Sequence, residues 1–464
     1  MWEVLVNYYF STKNIMTWGK KESEYQQIIV PVSAIVDAVK QYDDGFYRME
    51  VGEQWSGNLG NDPMLYGYYG VGHGGSDDRD FVRTALSELG VHRFNMRNHY
   101  GKGIPAATDA LLGLQYLISK QNLTEEKGYE HMISVEDWAL YKNPDALPIA
   151  LLSNSDISDI EIDLTDIFDN LNRVWTAISG EETPVFVEET DIAFLSHNIT
   201  DSVELSQEEA SEIVASRDAK AEAFSSSESA SASESTSDSA SVDPEHTDDG
   251  SLKELPDNMN AIQYTLTAHQ DGSVYSYNRS GITEENGSII PSMIYDGTHK
   301  KGDTVTAYLP MENNLVTKYV LEDVAGRFRA AYANNDALHE LATVVKERPC
   351  TVEKIKDSHL RGEFTAEAGQ LLMFTIPYDE GWTCFIDGKE AEIKQVLGVF
   401  MAIDAPAGTH SYEMKFFPVG MKTGIGLSAA ALLTTLVYIP LDSRRRKRAD
   451  AVPETAAAPE CQTP

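Results

Sequence analysis

The sequence is poor in cysteine and in basic residues, and each shortage argues against a class of protein. Its 464 residues include three cysteines and no Cys-x-x-Cys pair, so neither a zinc ribbon nor a dithiol redox centre is expected. The eleven histidines show neither a His-x-His nor a His-Glu-x-x-His spacing, and we predict no metal or other cofactor. Lys and Arg total 37 against 73 Asp and Glu, which argues against a nucleic-acid partner because phosphate binding needs clustered basic side chains.

Two of the three cysteines could pair with each other. Cys350 and Cys384 both lie in β-rich sequence, whereas Cys461 belongs to the C-terminal tail. In an oxidising compartment Cys350 and Cys384 are candidates for one disulfide across neighbouring strands. The alternative is two unpaired, buried thiols, and the spacing does not decide between the two.

The sequence contains one long uncharged run, over residues 423–441. As a helix these nineteen residues would span about 28 Å, close to the thickness of the hydrocarbon core of a bilayer. An unbroken basic block follows at 444–448, and basic clusters stay on the cytoplasmic side. We therefore predict a transmembrane helix over 419–441 and a cytoplasmic tail over 442–464, with all preceding residues outside the cytoplasm.

The N-terminus lacks a basic segment followed by an apolar run and a cleavage site, so it does not resemble a signal peptide. The predicted topology nevertheless places this end outside the cytoplasm. We expect the chain to be part of a longer protein whose earlier helices provide the export signal. The alternatives are a start at an internal site or the reverse orientation.

Composition divides the rest of the chain into segments of different kinds. Residues 1–45 predict a membrane-proximal helical segment with one apolar face and with Pro31 in its first turn. Residues 46–204 mix strands and helices and predict an external α/β domain. Residues 205–257 are acidic, rich in Ser and poor in large apolar side chains, and predict a disordered linker. Residues 258–418 alternate with a period of two and predict an antiparallel β-sandwich, so the fold class is α+β.

Apolar spacing predicts three further helices and one buried turn. The helices cover residues 80–89, 163–179 and 335–348, and Gly90 and Gly180 end the first two. Residues 109–119 predict a buried helix-to-strand turn around Gly113.

One glycine-rich stretch formally matches a nucleotide-binding motif. Gly70, Gly72 and Gly75 have the Gly-x-Gly-x-x-Gly spacing that lets a pyrophosphate approach a helix N-terminus. No acidic residue follows a second apolar strand at the distance that ribose binding needs, and an external domain has little access to a dinucleotide. We therefore interpret the stretch as a glycine-rich turn.

The same stretch has the composition of a sugar-binding site. Aromatic rings can cover the apolar faces of a pyranose, and amides and carboxylates can bind its hydroxyl groups. Packing in a core explains the tyrosines equally well, so both interpretations stay open. The residues concerned are Trp55, Asn58, Asn61, Asp62, Tyr66, Tyr68, Tyr69, His73 and Asp77.

The C-terminal part of the sequence resembles the closing segment of the YfhO family of bacterial membrane proteins. The shared features are a Pro-Tyr-Asp-x-Gly-Trp strand from Pro377, an Asp-Gly-Lys turn at Asp387, a Pro-Ala-Gly-x-His turn ending at His410 and a Phe-x-Pro-x-Gly entry into the last helix. Upstream stretches resemble the external α/β region of that family in the same order, namely 46–51, 61–73, 111–119, 141–152 and 167–180.

The resemblance implies a polytopic glycosyltransferase of the GT-C type in a bacterial cell membrane. Its implied partners are the lipid bilayer and an envelope glycopolymer, such as lipoteichoic acid, or a polyprenyl-linked sugar. The family's catalytic carboxylate is expected in an early external loop between N-terminal helices, and no residue of this chain corresponds to it. Within the matching region, the resemblance makes Asn61, Asp62, Tyr66 and Tyr69 the candidates for contact with the acceptor polymer.

Two functions are therefore compatible with the sequence. The first is the extracytoplasmic, C-terminal portion of an envelope glycosyltransferase that keeps its catalytic loop elsewhere. The second is a non-catalytic, membrane-anchored module that binds carbohydrate or another envelope protein. Whether this chain is itself an enzyme is left undecided.

Overall fold

The structure, a computed structural model, describes residues 22–52, 61–74, 79–94, 97–101, 103–162, 166–197, 202–205, 261–278, 293–310 and 318–449. Helices and strands alternate in the first part of the chain, whose elements are α1 (Glu22–Tyr42), β1 (Arg48–Val51), α2 (Asp62–Tyr66), β2 (His73–Gly74), α3 (Asp80–Glu88), β3 (His92–Phe94), β4 (Arg97–His99), α4 (Ala106–Leu111), β5 (Leu114–Ser119), α5 (Leu123–Lys127), β6 (Glu130–Val135), β7 (Trp138–Lys142), β8 (Ala150–Asn154), a 3₁₀-helix (Ser155–Asp159) and α6 (Ile167–Ser179). Strands dominate the second part, whose elements are β9 (Phe186–Glu189), β10 (Ile192–His197), β11 (Ser202–Leu205), β12 (Ala261–Thr267), β13 (Gly272–Asn278), β14 (Ile294–His299), β15 (Thr304–Pro310), α7 (Lys318–Arg327), β16 (Phe328–Ala333), α8 (Asn335–Glu347), β17 (Glu353–Lys356), β18 (His359–Ala366), β19 (Gln370–Pro377), β20 (Trp382–Ile386), β21 (Lys389–Ala391), β22 (Lys394–Val396), β23 (Phe400–Asp404), β24 (Gly408–Phe416) and α9 (Met421–Ala449). The predicted linker lies outside the described residues from residue 206 onward.

Helix α1 packs on a mixed sheet with strand order β1-β5-β7-β6. Strands β1 and β5 are parallel, and the other pairs of this sheet are antiparallel. Pro31 lies in the interior of α1, so its predicted place in the first turn is wrong. The helix begins earlier, at Glu22, and burial of its apolar face offsets the backbone hydrogen bond that Pro31 cannot donate. That buried face consists of Val32, Ile35, Val36 and Val39.

The three other predicted helices are present and surround or enter the largest core. They are α3, α6 and α8, and Gly90 and Gly180 follow the first two with a φ of 88° each. A left-handed glycine at this position is the usual end of a helix. Trp175 of α6 is fully buried in this core, where its indole N–H donates to the carbonyl of Ala107 at 3.2 Å.

The β-rich part of the chain forms two sandwiches in the described residues, where we predicted one. The sheets β11-β10-β12-β15 and β14-β13-β16-β9 enclose one core, in which the rings of Tyr264 and Phe328 lie 4.4 Å apart. The sheets β17-β18-β24-β20-β21 and β22-β23-β19-β8 enclose a second core around Phe364 and Phe374. Strand β8 precedes α6 in sequence but pairs with β19, so the second sandwich is completed by a strand from the first part of the chain. The α+β fold class is confirmed.

The closing sequence motifs meet in the second sandwich. Asp387 of the Asp-Gly-Lys turn accepts a hydrogen bond from the backbone N–H of Ser411 at 3.0 Å and contacts Nδ1 of His410 at 2.6 Å. The hydrogen bond with His410 holds the pKa of Asp387 below its usual range. Asp379 of the Pro-Tyr-Asp-x-Gly-Trp strand forms an ion pair with Arg79, which belongs to the first part of the chain. The motifs therefore fix turns and join distant segments.

Cys350 and Cys384 are both free thiols, so the candidate disulfide is not formed. Cys350 pairs with Phe364 of β18, and Cys384 lies in β20, beyond the intervening β24. Three inter-strand spacings of about 4.8 Å put the two Cα atoms about 14 Å apart. A disulfide requires Cα atoms within about 7 Å of each other. The structure therefore has the second alternative, two unpaired thiols. Burial raises the pKa of each thiol to about 12.

Helix α9 is the predicted transmembrane helix. Its segment Met421–Arg446 is long and apolar enough to cross a bilayer, and none of its most apolar window is buried against the rest of the protein. Large apolar side chains such as Leu427, Leu432 and Tyr438 are more than half exposed. Such a surface is stable in lipid and unfavourable in water.

The guanidinium of Arg348 joins three backbone carbonyls from two elements. It donates to Leu152 of β8 at 2.8 Å and to Ile178 and Ser179 at the C-terminus of α6. Arg348→Met should lower the free energy of unfolding by about 2–3 kcal/mol, because it leaves these carbonyls without a charged donor. Chemical denaturation of the chain in detergent micelles measures the loss.

Arg173→Met, in the exposed face of α6, is the matched control for this prediction. Arg173 is 42% exposed and lies 3.7 Å from Asp169, a surface pair whose loss should cost at most about 0.5 kcal/mol. Equal effects of the two substitutions would contradict the role assigned to Arg348.

Candidate functional site

Strand β1 carries two charged side chains on one face. Met49 and Val51 pack against α1, and Arg48 and Glu50 point to the opposite face because side chains alternate along a strand. Arg48 donates to the carbonyl of Thr375 in β19 at 2.6 Å, and burial lowers its pKa to about 10. The side chain of Glu50 has no exposed surface, so its carboxylate needs donors within the protein.

Those donors come from residues 61–72, which we call the Glu50 loop. The carboxylate of Glu50 accepts hydrogen bonds from the backbone N–H of Val71, the backbone N–H of Gly72 at 2.6 Å and the hydroxyl of Tyr68 at 3.2 Å. Charge-assisted bonds of this kind are stronger than those between neutral groups. The loop is therefore fixed to β1 by a side chain that precedes it in sequence.

Gly70 allows this close approach. A Cβ atom at residue 70 would overlap Oε1 of Glu50 and would lie 2.7 Å from Cγ of Pro63. The amide of Gly72, which a nucleotide phosphate would use in the motif, is bound to Glu50. The contact with Glu50 explains Gly70 and occupies the amide of Gly72, without a nucleotide.

Asp62, in the Glu50 loop, is the second carboxyl group of the site. It is the first residue of α2, and only 7% of its side chain is exposed. Among the described residues no hydrogen-bond or ion-pair partner contacts its carboxylate. Burial raises the pKa of Asp62 to about 6. A carboxyl group with a raised pKa on a mostly buried residue is a candidate for a functional site.

The two carboxyl groups influence each other. Burial raises the pKa of Glu50 to about 7, amide hydrogen bonds from Gly72 and Val71 act in the opposite direction, and the charge of Asp62 raises it further. Both groups therefore titrate near neutral pH, where carboxyl groups can exchange protons with a ligand. Because they interact, the two apparent pKa values belong to the pair.

Tyr66 and Tyr68 form one wall of this site. Their rings stack with centroids 6.4 Å apart, and both side chains are at most 9% exposed. The carbonyl of Tyr66 also accepts a hydrogen bond from Lys40 of α1 at 3.0 Å. The ring of Tyr66 therefore has little surface available to a sugar, and its packing matches the core interpretation of the tyrosines.

Tyr69 faces the other way, toward the hairpin β17–β18 of the second sandwich. Its hydroxyl donates to Asp357 at 2.6 Å, and Lys354 both contacts that hydroxyl and lies 4.2 Å from the centre of the ring. Phe46 meets the same ring edge-on at 5.7 Å. The side chain is 44% exposed, so part of the ring is accessible beside the hairpin.

Comparison with known proteins identifies the family. A profile described as bacterial membrane protein YfhO matches residues 1–428. The chain belongs to the YfhO family. A curated relative, "Uncharacterized protein YfhO" of Bacillus subtilis (strain 168), is 32% identical over 78 residues, which is 17% of this chain and 9% of that protein. No solved structure matches the chain.

Within this YfhO-family chain, the candidate residues do not share one surface. Asp62 lies near Glu50, and Tyr66 stacks on Tyr68. Asn61 precedes α2 as its N-cap, and Tyr69 contacts the second sandwich. Trp55, Asn58 and Asp77, and the side chain of His73, lie outside the described residues. The residue that sequence reasoning missed is Glu50. The sequence signal that could have identified Glu50 is a charged residue between two apolar residues, Met49 and Val51, in a predicted strand.

Gly70→Ala tests the contact between the Glu50 loop and β1. The added methyl group displaces either the carboxylate of Glu50 or Pro63, so we expect a loss of about 1–3 kcal/mol in the free energy of unfolding. Gly52→Ala, at the end of the same strand, is the control, because a Cβ there meets Ser119 at an ordinary 3.5 Å. Chemical denaturation of both variants measures the two losses. Similar denaturation midpoints for the two variants would contradict the proposed steric requirement.

The pH dependence of stability tests the buried carboxyl of Glu50. Its pKa of about 7 lies above the ordinary 4.5, so the folded protein binds more protons than the unfolded chain between these values. The free energy of unfolding should therefore fall as the pH rises through this window, and Glu50→Gln should reduce that slope. Denaturation midpoints across about pH 5 to 8 measure it.

Glu390→Gln, at an exposed position of β21, is the control for the pH experiment. It should keep the wild-type slope. A slope unchanged in Glu50→Gln would show that Glu50 does not titrate in this range.

Proposed function

We propose that this chain is the extracytoplasmic part of a YfhO-family protein that glycosylates a cell-envelope polymer such as lipoteichoic acid. In this proposal the Glu50 loop contacts the acceptor polymer, and the sugar comes from a polyprenyl-phosphate donor. Membership of the family supports the membrane setting. The observation that supports the site is the mostly buried residue Asp62, whose carboxyl group has a raised pKa.

The chemistry of Asp62 suits an acceptor hydroxyl. A pKa of about 6 leaves the carboxylate ionised at neutral pH, with lone pairs free to accept a hydrogen bond from a sugar or polyol. An aspartate in a partly apolar site binds such a hydroxyl more strongly than one in water. The neighbouring Glu50 is partly protonated near pH 7, which limits repulsion between the two groups.

The proposal gives Asp62 a binding role and leaves bond formation to another part of the protein. In this proposal, as the family resemblance implies, the catalytic carboxylate belongs to a loop between N-terminal helices and has no counterpart in this chain. Asn61 and Tyr69, at the two ends of the short segment that includes α2, would then border the polymer. Tyr66 would support the site from the core.

The proposed topology follows from the charge around α9. The basic block at 444–448 lies at the C-terminal end of the helix, and such blocks stay in the cytoplasm. Residues 22–418 would then face the cell envelope, where a glycopolymer is accessible.

Substitution of Asp62 in the complete protein tests this function. A strain from which the gene has been removed receives a complete gene that carries Asp62→Asn. We expect normal amounts of the protein in the membrane, but at least about tenfold less sugar on the envelope polymer than with the wild-type gene. The loss follows from replacing a charged acceptor of hydrogen bonds by a neutral amide. Polymer-bound sugar is measured after hydrolysis, and the amount of protein by immunoblot.

Asp137→Asn, in the exposed turn between β6 and β7, is the matched control and should leave glycosylation unchanged. Normal glycosylation with Asp62→Asn would remove Asp62 from the proposal. Normal glycosylation in the strain without the gene would instead support the alternative of a non-catalytic, membrane-anchored binding module.

A further inference from the structure

The second sandwich carries a groove on its outer face, apart from the Glu50 loop. The groove has a volume of about 510 Å³ and crosses strands β17, β18, β24 and β20. This volume is in the range of sites for small ligands. Because side chains alternate along β18, Arg361 and Glu363 face the groove while Leu360 and Phe364 are buried beneath it.

Gly362 allows close packing beneath the groove, because its Cβ position lies on the same side of β18 as Leu360 and Phe364. A Cβ atom at residue 362 would overlap the carbonyl oxygen of Thr351, and it would lie 2.8 Å from the ring of Tyr412. The hydroxyl of Tyr412 donates to the same carbonyl at 2.8 Å, so the ring fills the space below the strand. The floor is therefore backbone held in place from beneath.

The groove is acidic, and in the part of the chain that the structure describes one of its carboxylates has no counter-charge. Glu353 contacts Arg361 at 2.8 Å, and Glu413 contacts both His359 and Lys415. Among the described residues no side chain pairs with the exposed carboxylate of Glu363, which lies opposite Ser411 on β24. Three carboxylates against the one guanidinium of Arg361 give the lining a net negative charge, which favours a cationic group.

An aromatic ring lies at one end of the groove. Phe385 of β20 is half-buried and lies opposite Glu413 in the sheet, with Nζ of Lys415 at 5.7 Å from the ring centre. A ring beside carboxylates and hydroxyl groups provides an apolar surface and hydrogen-bond acceptors together. Sugars present these two properties on their faces and edges.

We propose that this groove binds a saccharide or polyol unit that carries a primary ammonium group. The ammonium pairs with the carboxylate of Glu363, the apolar face of the unit packs on Phe385, and its hydroxyl groups bind Ser411 and the remaining carboxylates. The inference rests on the proposed function in one respect, that this face is exposed to the cell envelope. Binding itself is a property of the groove.

The groove ends beside the Glu50 loop. Glu353 lines the groove, and the next residue of β17, Lys354, contacts the hydroxyl of Tyr69. Neighbouring residues of a strand point to opposite faces, so β17 separates the two sites by its own thickness. A polymer held in the groove would therefore lie close to the proposed acceptor loop.

Calorimetric titration of the full chain in detergent micelles tests this binding. The probe is a glucosamine tetramer, and an N-acetylglucosamine tetramer of the same length lacks the ammonium groups. We expect the glucosamine tetramer to bind with a Kd below about 1 mM and the acetylated tetramer to bind at least about fivefold more weakly. Glu363→Gln should weaken the binding of the glucosamine tetramer by the same factor of about five.

Two further variants separate the groove from general attraction to an acidic protein. Phe385→Ala should also weaken binding of the glucosamine tetramer, since the ring supplies apolar contact and no negative charge. Glu390→Gln, on the exposed strand β21 of the same sheet, should leave the Kd unchanged. Equal affinity for the two tetramers, no binding of either, or equal effects of Glu363→Gln and Glu390→Gln would overturn the inference. Each of these results leaves the Asp62 experiment on polymer glycosylation unaffected, so the two proposals fail separately.

Discussion

The carboxylate of Glu50 accepts backbone hydrogen bonds from Val71 and Gly72, and the geometry of the candidate site depends on this contact. A carboxylate without exposed surface loses its hydration, so only donors placed around it can stabilise it. The Glu50 loop supplies these donors and is held in one conformation as a result. That conformation buries Asp62 beside Glu50 and turns Tyr69 toward the second sandwich.

Contacts between distant segments join the two parts of the chain. Strand β8 pairs with β19, Arg48 donates to Thr375, and Arg79 forms an ion pair with Asp379. The closing segment that carries the family resemblance is therefore also the structure against which the N-terminal loop packs. A motif near the membrane helix can in this way be required for the shape of a site hundreds of residues earlier in sequence.

Local signals predicted much of the secondary structure. The helical spacing of apolar residues and the glycines that follow gave α3 and α6, and the period of two gave the strands, because both depend on neighbouring residues. Two predictions failed where a distant partner decides, because the start of α1 depends on packing against a sheet and the number of sandwiches depends on which strands pair. The pairing of Cys350 with Cys384, which the sequence left open, was decided by the two strands that lie between the thiols.

The sequence by itself determined the α+β composition, the membrane helix and the family, because these depend on period, length and motif. It also marked the stretch that contains Asp62, through its mixture of aromatic and acidic residues. Only the tertiary structure decided that Glu50 belongs to the same site, that Tyr66 is buried and that Tyr69 contacts Lys354. Burial and pairing are set by residues far apart in the chain, and the pattern around any one residue does not encode its distant neighbours.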